Sequence, residues 1–183
     1  MADMYEMAVE TLKAAGFTRY EVSNFAKNVG AESVHNKNYW NGGQYIGVGP
    51  GAHGRFCRKN VNKREARIQT LEPEPWMREV ENYGHATRKC TTQTKIDILE
   101  ELLMVGLRTR HGIQDVRWRQ FSEDVSLLKV FGDSLALEEF INNGLMKFDD
   151  KILRCSGKGI SVVNSIVASL LQDLHNYQDL PSR

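Results

Sequence analysis

The chain has 183 residues, 41% hydrophobic and 26% charged, which are the proportions of a folded globular chain and exclude the disordered, collagen-like and coiled-coil classes. Its 24 basic and 23 acidic residues leave a formal charge of +1, too weak a field to predict nucleic acid or an anionic membrane surface as a partner. Cys57, Cys90 and Cys155 stand more than thirty residues apart, which excludes the short spacings of zinc knuckles and iron–sulfur loops and predicts reduced, unpaired thiols.

Asp3 caps a first predicted helix whose apolar positions Met4, Met7, Ala8, Leu12 and Ala15 recur at helical spacing, with Gly16 ending it. Phe17 to Val22, rich in β-branched and aromatic residues and too short for a helix, reads as a strand, so the pair forms the αβ half of a βαβ unit. A parallel unit needs a strand before its helix, so Met1 is expected to be an internal point of a longer fold. Val34 to Trp40 has room for one or two helical turns before Gly42-Gly43, and a second strand is predicted over Gln44 to Gly49, ended by Pro50-Gly51. Gly54 to Cys57 and Ala66 to Gln69 form a predicted hairpin across the basic turn Arg58 to Glu65.

Pro73 and Pro75 open a predicted helix that runs through Trp76, Val80 and Tyr83 to Gly84. The clearest helix follows, capped by Thr91 or Thr92, with Ile96, Leu99, Leu102, Leu103 and Leu107 on its apolar face. His111-Gly112-Ile113 ends it, a short helix is predicted around Val116 to Phe121, and another over Leu135 to Asn143 with Gly144 as its cap. Leu145 to Phe148 and Lys151 to Arg154 alternate about Asp149-Asp150 as a β-hairpin does, and Gly159 to Leu174 reads as a closing amphipathic helix. Helices, a two-stranded wing and a helix make a winged-helix-like layout. The composition shifts between Thr70 and Thr92, which gives an expected division into 1–72, a helical connector over 73–91, and 92–183. No apolar run approaches the roughly 20 residues that span a bilayer, and Met1 to Tyr5 has the layout of neither a signal nor a transit peptide.

The densest chemistry lies in His35-Asn36-Lys37-Asn38-Tyr39-Trp40. On a helix His35 and Tyr39 share one face, and Asn36 and Trp40 the next. An imidazole beside two large rings suits a flat apolar ligand whose metal it ligates; the residue types by themselves favour the other reading, in which His35 and Asn36 make local caps and the two rings are half-buried core. Gly47-Val48-Gly49-Pro50-Gly51-Ala52 lacks the lysine–serine pair of a nucleotide loop, and Pro50 lacks an N–H, so nucleotide phosphate is not predicted there. Glu21, Ser23, Asn24, His53 and Arg55 follow strands and are further candidates. Arg108, Arg110, His111, Arg117 and Arg119 beside Trp118 form a basic patch, but Glu100, Glu101, Asp115, Glu123 and Asp124 surround it, so a solvated or domain-facing surface is expected rather than a DNA surface.

Three runs, Tyr20-Glu21-Val22-Ser23-Asn24-Phe25-Ala26, Ser33-Val34-His35-Asn36-Lys37-Asn38-Tyr39-Trp40 and Tyr45 to Arg55, closely resemble the HemW and HemN radical-SAM families, and HemW, including vertebrate heme chaperones, more nearly than the coproporphyrinogen oxidase HemN. Looser matches continue through Glu101 to Arg108, Gly112-Ile113, Gly144-Leu145 and the closing helix. The resemblance implies an α/β fold, a partial radical-SAM (β/α) barrel followed by a mostly helical HemN-type domain with the winged layout. It implies a heme-binding chaperone that delivers heme to acceptor proteins. His35, Asn36, Tyr39 and Trp40 match the heme-associated HNxxYW motif, with His35 as the candidate iron ligand. It further implies a [4Fe–4S] cluster and S-adenosylmethionine in the full-length parent, a remaining barrel portion as partner, and a mitochondrial location. The CxxxCxxC cluster loop of these families has no counterpart here, so no catalytic residue is expected in this chain and no cluster ligand is carried over. The alternative expectation is a fragment of an oxygen-independent coproporphyrinogen oxidase-like enzyme of porphyrin synthesis.

Overall fold

The computed structural model describes residues 2–59 and 63–177. Helix α1 (Ala2–Ala14) leads to strands β1 (Thr18–Arg19) and β2 (Phe25–Ala26), helix α2 (Val34–Trp40), strands β3 (His53–Cys57) and β4 (Arg64–Gln69), helix α3 (Pro73–Tyr83) and strand β5 (Thr87–Thr92). Then come helix α4 (Lys95–Gly106), strand β6 (Ile113–Gln114), helices α5 (Asp115–Arg119), α6 (Leu127–Phe131) and α7 (Leu135–Asn142), strands β7 (Met146–Phe148) and β8 (Ile152–Cys155), and helices α8 (Gly157–Ser161) and α9 (Val163–Asn176). Two compact units result among the described residues, one made of those up to Gly42 together with 98–177, the other of those within Gly43–Asp97. The units follow contacts between segments distant in sequence rather than the composition shift near Thr70 to Thr92. Backbone pairing makes such contacts: Tyr20 O accepts from Arg110 N at 3.0 Å, Arg108 O accepts from Val22 N at 3.1 Å, and Glu21 bridges Thr109.

In the first unit the strand expected over Phe17 to Val22 shortens to β1 and pairs antiparallel with β2, Thr18 opposite Ala26 and Arg19 opposite Phe25. The predicted apolar face of α4 is the centre of the core, for Leu99, Leu102, Leu103 and Leu107 are fully buried with Trp118, Leu127, Phe131, Leu153 and Leu170. Each such side chain contributes about 2 kcal/mol by leaving water. Trp118 meets Phe131 edge-on, with ring centroids 5.9 Å apart. The wing forms as an antiparallel sheet in the order β6-β8-β7, its turn closed by Asp149 Oδ1, which accepts from Lys151 N at 2.8 Å and Ile152 N at 3.0 Å. The closing helix divides at Val162 (φ −118, ψ 20), because Ser156 Oγ, accepting from Gly159 N, caps a separate turn first. Helix α6 was not expected; Ser126 caps it, but five residues are too few to show a period.

In the second unit β3, β4 and β5 form an antiparallel sheet. The predicted hairpin is β3 and β4, part of its turn falling on residues 60–62, outside the described residues. Helix α3 begins at Pro73 as expected. The connector is not helical to its end: Thr87–Thr92 is a strand, with Thr91 and Thr92 opposite Ala66 and Glu65. The cap of α4 therefore moves to Thr94, whose N–H donates to Asp97 Oδ2 at 2.8 Å while its Oγ accepts from Asp97 N at 3.3 Å, a reciprocal closure of an N-terminus. The strand expected over Gln44 to Gly49 reduces to one bridge, Tyr45 with Arg55. Gly49 lies at φ +109, which interrupts an extended run, and Pro50 offers no ladder donor. Among the described residues no helix is long and apolar enough to cross a membrane.

Candidate functional site

Helix α2 is fixed at both ends. Ser33 Oγ accepts from Asn36 N at 3.2 Å, and Ser33 N donates to the hydroxyl of buried Tyr20 at 3.3 Å. At the far end Arg117 Nε donates to Asn41 O at 2.9 Å and a second guanidinium nitrogen to Gly42 O at 3.0 Å. His35 is exposed and meets Tyr39 edge-on, ring centroids 4.5 Å apart at 89°. Asn36, Tyr39 and Trp40 are half-buried and line a cleft of about 590 Å³ with Glu21, Val22, Ser23, Asn24 and Arg108. Glu21 is buried and accepts from the Asn24 amide, and Arg108 donates to Asn164 Oδ1 at 2.9 Å.

The strongest electrostatic feature lies just before the helix. The Glu32 side chain, 1% exposed, accepts from Arg110 at 2.8 Å and stands 3.3 Å from His111 Nε2 and 3.4 Å from Lys37 Nζ. Burial pushes its carboxyl up, but the hydrogen bonds from His111 and Lys37 and the charges of His111 and Arg110 outweigh that and hold it below the usual 4.5.

Of the expected residues, Glu21, Ser23 and Asn24 therefore gather with Asn36, Tyr39 and Trp40, while His35 stands outside the cleft. His53 and Arg55 belong to β3 of the other unit and do not join the cleft lining. The basic patch is dispersed into separate tasks, since Arg108 lines the cleft, Arg110 and His111 hold Glu32, Arg117 closes α2, and Arg119 pairs with Asp115 at 2.6 Å. Sequence reasoning missed Glu32, Lys37 and Arg108 as site residues. No local signal marks Glu32, because two of its partners lie 78 and 79 residues away.

The cysteines do not fit an iron–sulfur cluster. Cys57 and Cys90 are exposed, Cys155 is buried with its thiol pushed up to about 12 by burial, and among the described residues no three His, Cys, Asp or Glu side chains converge to hold a metal ion. Half-buried Tyr39 and Trp40 beside an exposed imidazole do fit a flat aromatic ligand.

Residues 93–162 match the HemN C-terminal domain. The chain is 49% identical over 184 residues to the mitochondrial radical S-adenosyl methionine domain-containing protein 1 of Mus musculus, covering 99% of this chain and 41% of that protein. It is 28% identical over 179 residues to the heme chaperone HemW of Lactococcus lactis, covering 96% of this chain and 43% of that one. The chain thus spans about two-fifths of the length of these relatives. Among solved structures, coproporphyrinogen III oxidase (HemN) from Escherichia coli, a radical SAM enzyme, superposes with a TM-score of 0.63 over 96% of this chain and 41% of its own, at 15% identity. That likeness is one of fold, and with the domain match it bears out the mixed α/β class and the HemN-type helical module.

Proposed function

We propose, from the HemN C-terminal domain match over residues 93–162 and the likeness to the mitochondrial radical S-adenosyl methionine domain-containing protein 1 and to HemW, that this is a HemW-like heme-binding chaperone chain that takes part in delivering heme to acceptor proteins. The observation that carries the reading is the convergence of Asn36, Tyr39 and Trp40 on one cleft wall beside the exposed His35. Heme is the cargo. In this reading His35 offers a ring nitrogen to the iron, and Tyr39, packed edge-on, limits how that imidazole turns. Trp40 and Tyr39 cover the macrocycle, while Asn36 and Arg108 supply polar contacts at the cleft wall.

The [4Fe–4S] cluster and S-adenosylmethionine belong, in the same reading, to the longer parent, since this chain's own cysteines do not fit a cluster. Its partners are heme, heme-accepting proteins and the remaining barrel portion. Relatives from mouse, cattle and zebrafish are named mitochondrial, and the mitochondrion is the proposed compartment. The alternative, a fragment of a coproporphyrinogen oxidase-like enzyme, has behind it a likeness in fold at 15% identity.

Hemin titrated into the purified chain tests the proposal. The expected result is a Soret shift that saturates, with affinity reduced about tenfold in His35→Ala and Trp40→Ala, the scale of one lost ligand contact. An unshifted Soret band in the unmodified chain would overturn heme binding by it.

A further inference from the structure

A second cleft, of about 520 Å³, also borders helix α2. The floor is apolar, for Leu102 and Ile113 are buried there, and exposed Val116 continues it to the rim. Trp40 lines this cleft as well as the first, and its buried indole N–H has no acceptor among the described residues. The polar groups on the wall are Glu32, Lys37, His111 and Arg117.

Charge is unbalanced around Glu32. Its single negative charge is shared by Arg110 at 2.8 Å, His111 at 3.3 Å and Lys37 at 3.4 Å, and two of these are full cations at neutral pH. Lys37 has the longer contact of the two full cations, 3.4 Å against 2.8 Å for Arg110, so it is the more loosely held, and when it leaves Arg110 and His111 remain with the buried carboxylate. An apolar floor, an indole wall and a releasable ammonium are together the chemistry that recognises a carboxylate on a flat apolar body.

We infer that the Glu32-side cleft receives a carboxylate arm of the tetrapyrrole, with Lys37 turning from Glu32 to that carboxylate. The inference rests on the heme-binding reading and adds to it a specificity determinant in a second cleft. The exchange breaks one ion pair and makes another, and Glu32 keeps two partners, so no proton need move.

Hemin and hemin dimethyl ester, the same ring with its carboxylates masked, separate the inference from its premise. Both are titrated into the unmodified chain, Lys37→Gln, Lys37→Arg and, as a charge control away from the cleft, Lys158→Gln. The unmodified chain should bind hemin about tenfold more tightly than the ester, the scale of one charge-assisted hydrogen bond. Lys37→Gln should lose that preference by weakening hemin alone, Lys37→Arg should keep it, and Lys158→Gln should behave as the unmodified chain. Equal binding of hemin and ester, or an undiminished preference in Lys37→Gln, overturns the carboxylate cleft and leaves heme binding standing. No Soret shift with either ligand removes heme binding and this inference with it.

Discussion

Glu32 draws its partners from three places, a helix one turn on and two adjacent loop positions 78 and 79 residues away, so one carboxylate ties the start of α2 to the segment before β6. Its folded-state pKa lies below the ordinary 4.5. A carboxyl shifted in that direction contributes stability that is fully present above about pH 4.5 and is lost as pH falls through the lower, folded-state value. Glu32→Gln should therefore lower stability by about 2 kcal/mol at pH 7, the scale of hydrogen bonds between charged groups. In urea unfolding the gap between variant and parent should close as pH drops below 4. A gap of constant size down to pH 3 would show that the carboxylate's charge is not what holds the two segments. Such a residue leaves no local trace in a sequence, since a lone glutamate before a serine is an ordinary surface pattern until the distant Arg110-His111 pair is seen beside it.

At the level of elements, Gly112 (φ +65) sets the approach of the 109–112 turn to β8, where a Cβ would collide with Leu153 O and the Arg154 side chain. Gly112→Ala combines left-handed strain with that clash and should cost about 2–3 kcal/mol, read as a lower urea midpoint at unchanged slope; an unchanged midpoint would mean the turn is free to move off the strand. The elements that were legible carried their signals locally. The repeat of Ile96, Leu99, Leu102, Leu103 and Leu107 marks α4, Asp149-Asp150 the wing turn, and Val34 to Trp40 before Gly42-Gly43 marks α2 and its motif. Those that were not legible depended on partners. Thr87–Thr92 has no apolar alternation and is mostly exposed, so only pairing with β4 makes it a strand. Gln44 to Gly49 has a strand-like composition, yet its glycines and Pro50 leave a single bridge. The candidate site divides in the same way, for the motif is readable within six residues, whereas Arg108 joins Asn36 and Tyr39 in one cleft lining only through the fold.

For the molecule as a whole, the thiols report on the two units separately. Cys57 and Cys90 are exposed in the Gly43–Asp97 unit, and Cys155 is buried in the other, its thiol raised to about 12. With an aromatic disulfide reagent at pH 8, two thiols should react within seconds and the third only at the rate at which the core around Leu153 opens. Replacing Cys57 and Cys90 by serine should leave the slow phase alone, and a third fast thiol would mean that the wing core is open in solution. Trp40, finally, belongs to two clefts at once. Its indole is therefore a wall common to both, and if each cleft held its own occupant, any factor by which one altered the affinity of the other would be the same in both directions.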